Sequence, residues 1–471
     1  MTHKKRFSIK PSMQLILLVS VSLLFLFFFS NTPFHPQHIT AIFNHCDSSS
    51  PTNLSHILFN IGASAATWTN RRRFVELWWQ PNRTRGFVWL DKDPPPSPPD
   101  NSTHHHPPYR VSADASRFPY TNPYGSRDVV RIARIVSEAY RTGPDDVRWF
   151  VMGDDDTVFF PENLVSVLAR HDWEEMKYIG GISESVEQNV GNTYEMGFGG
   201  GGFAVSRPLA AELAGAMDGC LYRYAGMYCG DMRVQACVGE IGVTLSRELG
   251  FHQMDIRGDP YGLLAAHPVA PLVSLHHFDT MNLIDPRKPT QIDSLKTLIS
   301  ASRVDPGRTL QQSVCYETTK NWSVSVSWGY TVQLYPWIVH ARDLFMPIQT
   351  FKTFGTHRNG PFTFNTRPPG KGPCERPLVY MFDEVGETGG GSVLTRYSRV
   401  QTGPKCERGD GGFGEASMVE AVQVFSHKMA PGEWSKAQRR YCCEARMVEE
   451  GHHMRITIRK CRRGESASPP T

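Results

Sequence analysis

The stretch "VRWFVMGDDDTVFF" (residues 147–160) decides how this chain is read. Five of the six residues from Val147 to Met152 are apolar and read as a buried strand. Three adjacent carboxylates follow, Asp154, Asp155 and Asp156, and then Val158, Phe159 and Phe160. Adjacent acids repel one another, and burying them without a counter-charge is costly. Held between two apolar runs they call for a cation, and a hard, oxygen-seeking divalent ion such as Mn²⁺ or Mg²⁺ is the economical choice. An acidic loop at a strand end is the plainer alternative, and the apolar flanks weigh against it.

Outward from this stretch the pattern alternates. Ile57, Leu58, Phe59 and Ile61 make a strand, and "TWTNRRRFVELWW" follows with a helical stripe of Phe74, Leu77 and Trp78, for which Thr69 is a candidate N-cap. "RGFVWLDK" is a second strand ending at Asp91. "DVVRIARIVSEAYR" is a helix, "PENLVSVLARH" a helix opened by Pro161, and "MKYIGGI" a strand. Strands alternating with helices predict an α/β fold with a mixed, mostly parallel sheet, in which function lies beyond the C-terminal strand ends. Asp154 to Asp156 fall at such an end. After about residue 285, "YTVQLYPW", "PLVYMFDEV" and "MRITIRKC" predict a β-rich, Cys-containing region.

Three further segments carry candidate chemistry. "YEMGFGGGGFAVSRPLAAELAG" contains Gly197, Gly199 and Gly202 in dinucleotide-fingerprint spacing. It does not sit in the first strand-to-helix turn, so Gly199, Gly200, Gly201 and Gly202 read instead as close backbone approach to a ligand, or as a strained turn. In "CLYRYAGMYCGDMRVQACVGEIG", Asp231 opens an amphipathic segment, as an N-cap or as the general base of a cleft. In "PVAPLVSLHHFDTM", His276 and His277 follow a short apolar strand, and either could complete a metal shell or serve packing.

Length and composition set the limits. The 471 residues carry 50 Lys and Arg against 46 Asp and Glu, a formal charge of +4 that is too dilute to imply nucleic-acid binding. With 40 glycines and 34 prolines, a helical bundle or coiled coil is excluded. Lys4, Lys5, Arg6 and Lys10 precede an apolar run from Met13 to Phe29, read as a transmembrane signal-anchor over 13–30, with a cytoplasmic tail over 1–12 and a luminal stem over 31–55. No small-residue cleavage site closes the run. Asn53, Asn82, Asn101 and Asn321 head N-glycosylation tripeptides. Cys374, Cys406, Cys442, Cys443 and Cys461 predict a disulfide-stapled C-terminal region in an oxidising compartment, with connectivity open; Cys229 and Cys237 could pair with each other or with Cys220. Zinc is disfavoured because no CxxC pair is present. The Pro-rich segment holding His104, His105 and His106 reads as a surface loop.

The chain resembles the plant relatives of Fringe, within the β-1,3-glycosyltransferase superfamily. The segments that carry the resemblance are "HILFNIGASAATW", "RRRFVELWW", "VSADASRF", "RWFVMGDDDTVFF", "GGGGFAVS", "YCGDMRVQACVGEIG", "FHQMDIRGD", "AHPVAPLVSLHHFDTMNLIDP" and "RRYCCE". They span roughly His56 to Glu444. The resemblance implies a GT-A-like nucleotide-sugar-binding fold over 56–284, a single-pass type II Golgi membrane protein, and a UDP-sugar donor bound through Mn²⁺ (or Mg²⁺). By the same resemblance Asp156 ligates metal, Asp154 and Asp155 contact ribose or the metal's waters, and His276, with His277 the next choice, is the late histidine ligand. Asp231 is the general base, and Gly199 to Gly202 line the cleft. The implied activity is inverting transfer of a hexose or N-acetylhexosamine to a glycan or glycoprotein hydroxyl, in a β-1,3 linkage. The Pro/His loop from Asp93 to Pro108 and the Cys-rich region over 285–471 depart from the better-known relatives, and acceptor identity stays open. The competing readings are a non-catalytic luminal glycan-binding scaffold and a metal-dependent phosphotransferase or hydrolase.

Overall fold

The computed structural model describes residues 50–94, 107–401, 406, 412–448 and 452–470. The expected tail, anchor and most of the stem, the acceptor Asn101 and the histidine tract 104–106 lie outside the described residues. Among the described residues no helix is long and apolar enough to cross a membrane. Residues 52–471 form one compact unit.

The first half follows from alternating strand and helix patterns. In chain order it contains β1 (Ile57–Gly62), α1 (Ala65–Trp78), β2 (Gly86–Leu90), β3 (Tyr109–Val111), α2 (Asp128–Thr142), β4 (Trp149–Asp154), β5 (Val158–Phe159), α3 (Pro161–Leu168), β6 (Tyr178–Gly180), α4 (Val186–Gly191), β7 (Phe203–Ser206), α5 (Arg207–Arg223), α6 (Gly230–Ile241) and β8 (Leu245–Arg247). Seven strands form one sheet in the order β3-β2-β1-β4-β7-β6-β8. All neighbours are parallel except β7, which runs antiparallel to both β4 and β6. The fold is therefore mixed α/β with a mostly parallel sheet.

Burial on both faces explains the continuous apolar runs. Along β1, Ile57, Phe59 and Ile61 enter one core with Trp78 and Phe159, while Leu58 enters the other with Phe150 and Val205. The pairing of β1 with β4 sets Gly62 opposite Asp154, so the carboxylates leave the sheet at the C-terminal end of its central strands. Helix α1 starts earlier than the apolar stripe predicts: its N-cap is Ser64, whose hydroxyl accepts from the Ala66 N–H at 3.3 Å, and Thr69 lies inside the helix.

The chain continues through β9 (Phe251–His252), β10 (Ile256–Gly258), α7 (Tyr261–Ala265) and β11 (Ser274–Leu275). Strand β11 pairs antiparallel with β5 and parallel with β9, which carries the residues after Leu275 back to the carboxylates. A helix missing from the expected β-rich pattern, α8 (Gln291–Val304), precedes the second large sheet; its N-cap Thr290 accepts from the Asp293 N–H. That sheet has eight strands in the order β12-β13-β14-β16-β17-β18-β20-β19. They are β12 (Gln312–Glu317), β13 (Trp322–Ser327), β14 (Thr331–Tyr335), β16 (Leu378–Gly389), β17 (Ser392–Val400), β18 (Ala421–His427), β19 (Cys442–Val448) and β20 (His453–Arg459), antiparallel except between β18 and β20. The remaining strand, β15 (Phe351–Thr353), pairs with β10 and ties the later region to the earlier one.

Four disulfides occur among the described residues: Cys220–Cys237, Cys315–Cys443, Cys374–Cys406 and Cys442–Cys461. Adjacent Cys442 and Cys443 point to opposite sides of β19, as strand alternation requires, and so reach different partners. Cys229 keeps a free thiol. Asn53, Asn82 and Asn321 are all exposed.

Candidate metal centre and cleft

Strand β4 ends at Asp154, and the turn that follows is locked from within. The Asp154 N–H donates to the Thr157 hydroxyl at 2.8 Å, and that hydroxyl donates to the Gly200 carbonyl at 2.7 Å. The turn sends the three carboxylates in different directions. Asp155 faces α1, accepting from Arg71 Nη1 at 3.0 Å and the Thr67 hydroxyl at 3.3 Å. Asp156 points inward at 1% exposure and meets His276 Nε2 at 3.1 Å. Asp154 Oδ2 lies 3.9 Å from the same nitrogen and is the most open of the three.

Asp154, Asp156 and His276 can each offer a ligand atom, with those atoms all within 4.8 Å of one another. Their chemistry suits a divalent cation. Both Asp156 oxygens are buried without a hydrogen-bond partner of good geometry, and native proteins rarely leave a carboxylate so. Asp155 is outside this group. Among the described residues the other cluster of metal-ligating residue types is Cys442, Cys461 and Glu465, but its two cysteines are already joined in a disulfide.

Electrostatics follow the geometry. Burial and the neighbouring acids Asp231, Asp156 and Asp155 push Asp154 up to about 7, against the pull of His276. Burial also raises Asp155, although Arg71 opposes it. For Asp156 the desolvation cost is outweighed by His276 and Arg71, which hold it well below the usual carboxylate range. The imidazolium of His276 is correspondingly raised to about 9 by Asp156 and Asp154.

The two histidines face different acids, His276 toward Asp156 and His277 toward Asp255. His276 is 3% exposed, and its Nδ1 faces the Gln253 carbonyl at 3.2 Å, which aims Nε2 at the acids. His277 sits at φ 62°; its ring lies against that of His276 with centroids 3.8 Å apart, stands 3.3 Å from Asp255 and stacks on Phe354 at 4.9 Å.

The glycine run forms the wall beside the triad. A Cβ at Gly200 would lie 2.1 Å from the His276 ring, so no side chain fits there. Gly202 has φ +84°, which favours glycine. The Gly201 N–H donates to Gln253 Oε1 at 2.6 Å, and the Gly199 N–H donates to Asp231 Oδ2 at 2.8 Å. Asp231 is in the first turn of α6 and is not its N-cap, which is Cys229. Burial raises the Asp231 carboxyl. Asp154 and Asp231 line one small cavity of about 20 Å³ with Asn60, Gly62 and Gly199, room for a single water and no more. A larger ligand must therefore approach from outside it.

Sequence reasoning missed Arg71, Asp279 and Gln253. Arg71 carried a signal: positions 68, 71, 75 and 78 form one helical stripe, and only 71 is charged. It contacts Asp155, Asp156 and Asp279.

A family model described as "Protein of unknown function, DUF604" matches residues 188–443, more than half of the chain. The chain belongs to the DUF604 family. The match covers Gly199–Gly202, Asp231 and His276 and begins after Asp154–Asp156, so the candidate centre of this DUF604 protein is assembled from both sides of the boundary. No curated protein matches the sequence. Among solved structures, the catalytic domain of Drosophila beta1,4galactosyltransferase 7 in complex with xylobiose is similar at 12% identity, over 41% of this chain and 64% of that one, with a TM-score of 0.24. The chain thus spans a little under two thirds of that structure, and a likeness of this size carries no argument about function.

Proposed function

We propose that this protein is a metal-dependent inverting glycosyltransferase that moves a hexose or N-acetylhexosamine from a UDP-sugar to a glycan or glycoprotein hydroxyl, with a β-1,3 linkage. The proposal includes a GT-A-like fold, kinship with the plant Fringe-related family, and a single-pass type II Golgi topology with residues 13–30 as the anchor. The observation that carries the reading is the buried Asp156 carboxylate, held beside Asp154 and His276 with ligand atoms within 4.8 Å of one another, next to a further acid at a helix start.

Asp154, Asp156 and His276 would hold Mn²⁺ or Mg²⁺. When bound, the ion supplies positive charge that offsets the charge growing on the diphosphate leaving group. Asp231, raised by burial and fixed through one oxygen by Gly199, takes the acceptor hydroxyl proton. That oxygen attacks the anomeric carbon as the bond to the diphosphate breaks, leaving the sugar inverted and the nucleoside diphosphate free. Gly199–Gly202 let His276, Asp231 and Gln253 pack against the backbone of the centre, and Asp155 with Arg71 anchors the carboxylate turn to α1.

The test compares two variants of the purified full chain. Asp156→Asn should weaken metal-dependent UDP-sugar binding and abolish transfer. Asp231→Asn should spare donor binding and abolish transfer. Unchanged turnover in Asp231→Asn would remove it as the base.

A further inference from the structure

A cavity of about 1160 Å³ among the described residues is lined by none of the three carboxylates. It exceeds the ~300–1,000 Å³ of ordinary small-molecule sites and so suits an extended ligand. Two regions build it. Asp259, Tyr261 and Asn282 come from the segments beside the candidate centre, whereas Tyr335, Trp337 and Val379 come from the eight-stranded sheet and its flanks.

Its lining selects a ligand class. Three aromatic rings and several prolines offer apolar faces. Among them stand the planar polar groups of Asn282, Gln349 and Arg367. The charged residues balance, Asp259, Asp343 and Glu375 against Arg367, Lys371 and Arg376, so the cavity favours neither an anion nor a cation. Gln349, Asp259 and Glu375 already accept hydrogen bonds from Thr366, Tyr261 and Lys371, which fixes their polar groups in the wall, where a ligand's hydroxyls can share them and an acyl chain cannot. A neutral polyol with flat apolar faces matches both kinds of surface.

The cavity wall is joined to the centre by two segments of the chain. Asp255 faces His277 at one end of β10, and Asp259 lines the cavity just past the other end, four extended residues or about 13 Å away. From His277 the chain runs through Asp279, which pairs with Arg71, to Asn282, whose N–H donates to the Gly258 carbonyl at 3.0 Å. Two segments therefore lead from the carboxylates to the cavity wall and are bonded to each other there.

From this we infer that the cavity binds a neutral oligosaccharide, the chain of the acceptor glycan. The inference rests on the transferase reading for the word acceptor, but glycan binding there can be measured without turnover. Calorimetry on the full-length protein would use cellotetraose, xylotetraose and β-1,4-galactotetraose as probes, with decanoate as the apolar comparison. At least one tetrasaccharide should bind with no nucleotide sugar present. Trp337→Ala should weaken it about tenfold, and Val339→Arg, which puts a bulky charged side chain into the wall beside Trp337, should weaken it further. Both variants should retain wild-type affinity for UDP with Mn²⁺, which shows that the fold is intact. Binding of decanoate alone, no binding of any tetrasaccharide, or tetrasaccharide affinity unmoved by both variants would overturn the inference. Tetrasaccharide binding weakened in these variants, in a protein that neither binds nor cleaves UDP-sugars, would uphold the glycan site and reject the transferase.

Discussion

Asp156 shows what a single position demands. Its two oxygens are buried, and the nearest cation is the His276 imidazolium, raised to about 9. Without metal that imidazolium is the counter-charge; a metal ligand must be neutral imidazole, so ion and proton compete for Nε2. Apparent Mn²⁺ affinity should therefore rise about tenfold per pH unit between pH 7 and pH 9 and then level off, and rise more steeply below pH 7, where Asp154 must also lose a proton, as followed by calorimetry. A flat profile would exclude His276 as a ligand. Gly200→Ala tests the opposite wall, because its Cβ would drive the ring off Asp156. Turnover should fall about 100-fold while far-UV circular dichroism is unchanged. At this scale the acids were legible, since three carboxylates between apolar runs have few explanations. The choice between His276 and His277 was not, because it depends on a left-handed backbone at His277 that no pattern marks.

Elements explain how distant residues meet. The antiparallel seam of β11 against β5 carries His276 back to Asp156, and α6 carries Asp231 to Gly199. The Cys220–Cys237 disulfide ties α5 to α6 on either side of Asp231 in sequence, closing a separation of 17 residues. Removing it with Cys220→Ser and Cys237→Ser together should cost about 3 kcal/mol by the loop-entropy estimate, read as a lower midpoint in urea, with turnover reduced because α6 loosens. Cys229→Ser should leave the midpoint unchanged or slightly raised, because the N-cap of α6 gains a hydroxyl where no side-chain capping bond exists. Strands and helices of the first half were readable from periodicity. The antiparallel β7 and the placement of α1's N-cap were not, because strand direction and a cap five residues upstream leave no trace in the hydrophobic period.

Across the whole molecule, the region after residue 285 is bound to the part that carries the acids. Strand β15 pairs with β10, and Cys315–Cys443 closes a separation of 128 residues within the second sheet. The cysteine count announced a stapled β-rich region, but the partners needed coordinates: Cys442 and Cys443, adjacent in sequence, serve two different bridges. The cavity was invisible in the sequence because its walls come from residues more than 100 positions apart. In the proposed function these elements converge on a centre that holds a cation and a nucleotide sugar. The most direct measurement incubates the purified full-length protein with UDP-galactose, UDP-glucose and UDP-N-acetylglucosamine, with Mn²⁺ or with chelator, and reads free UDP. Release from at least one donor that requires Mn²⁺ and is lost in Asp156→Asn is the predicted result; no release from any of the three, or release equal in chelator and in Asp156→Asn, would contradict it.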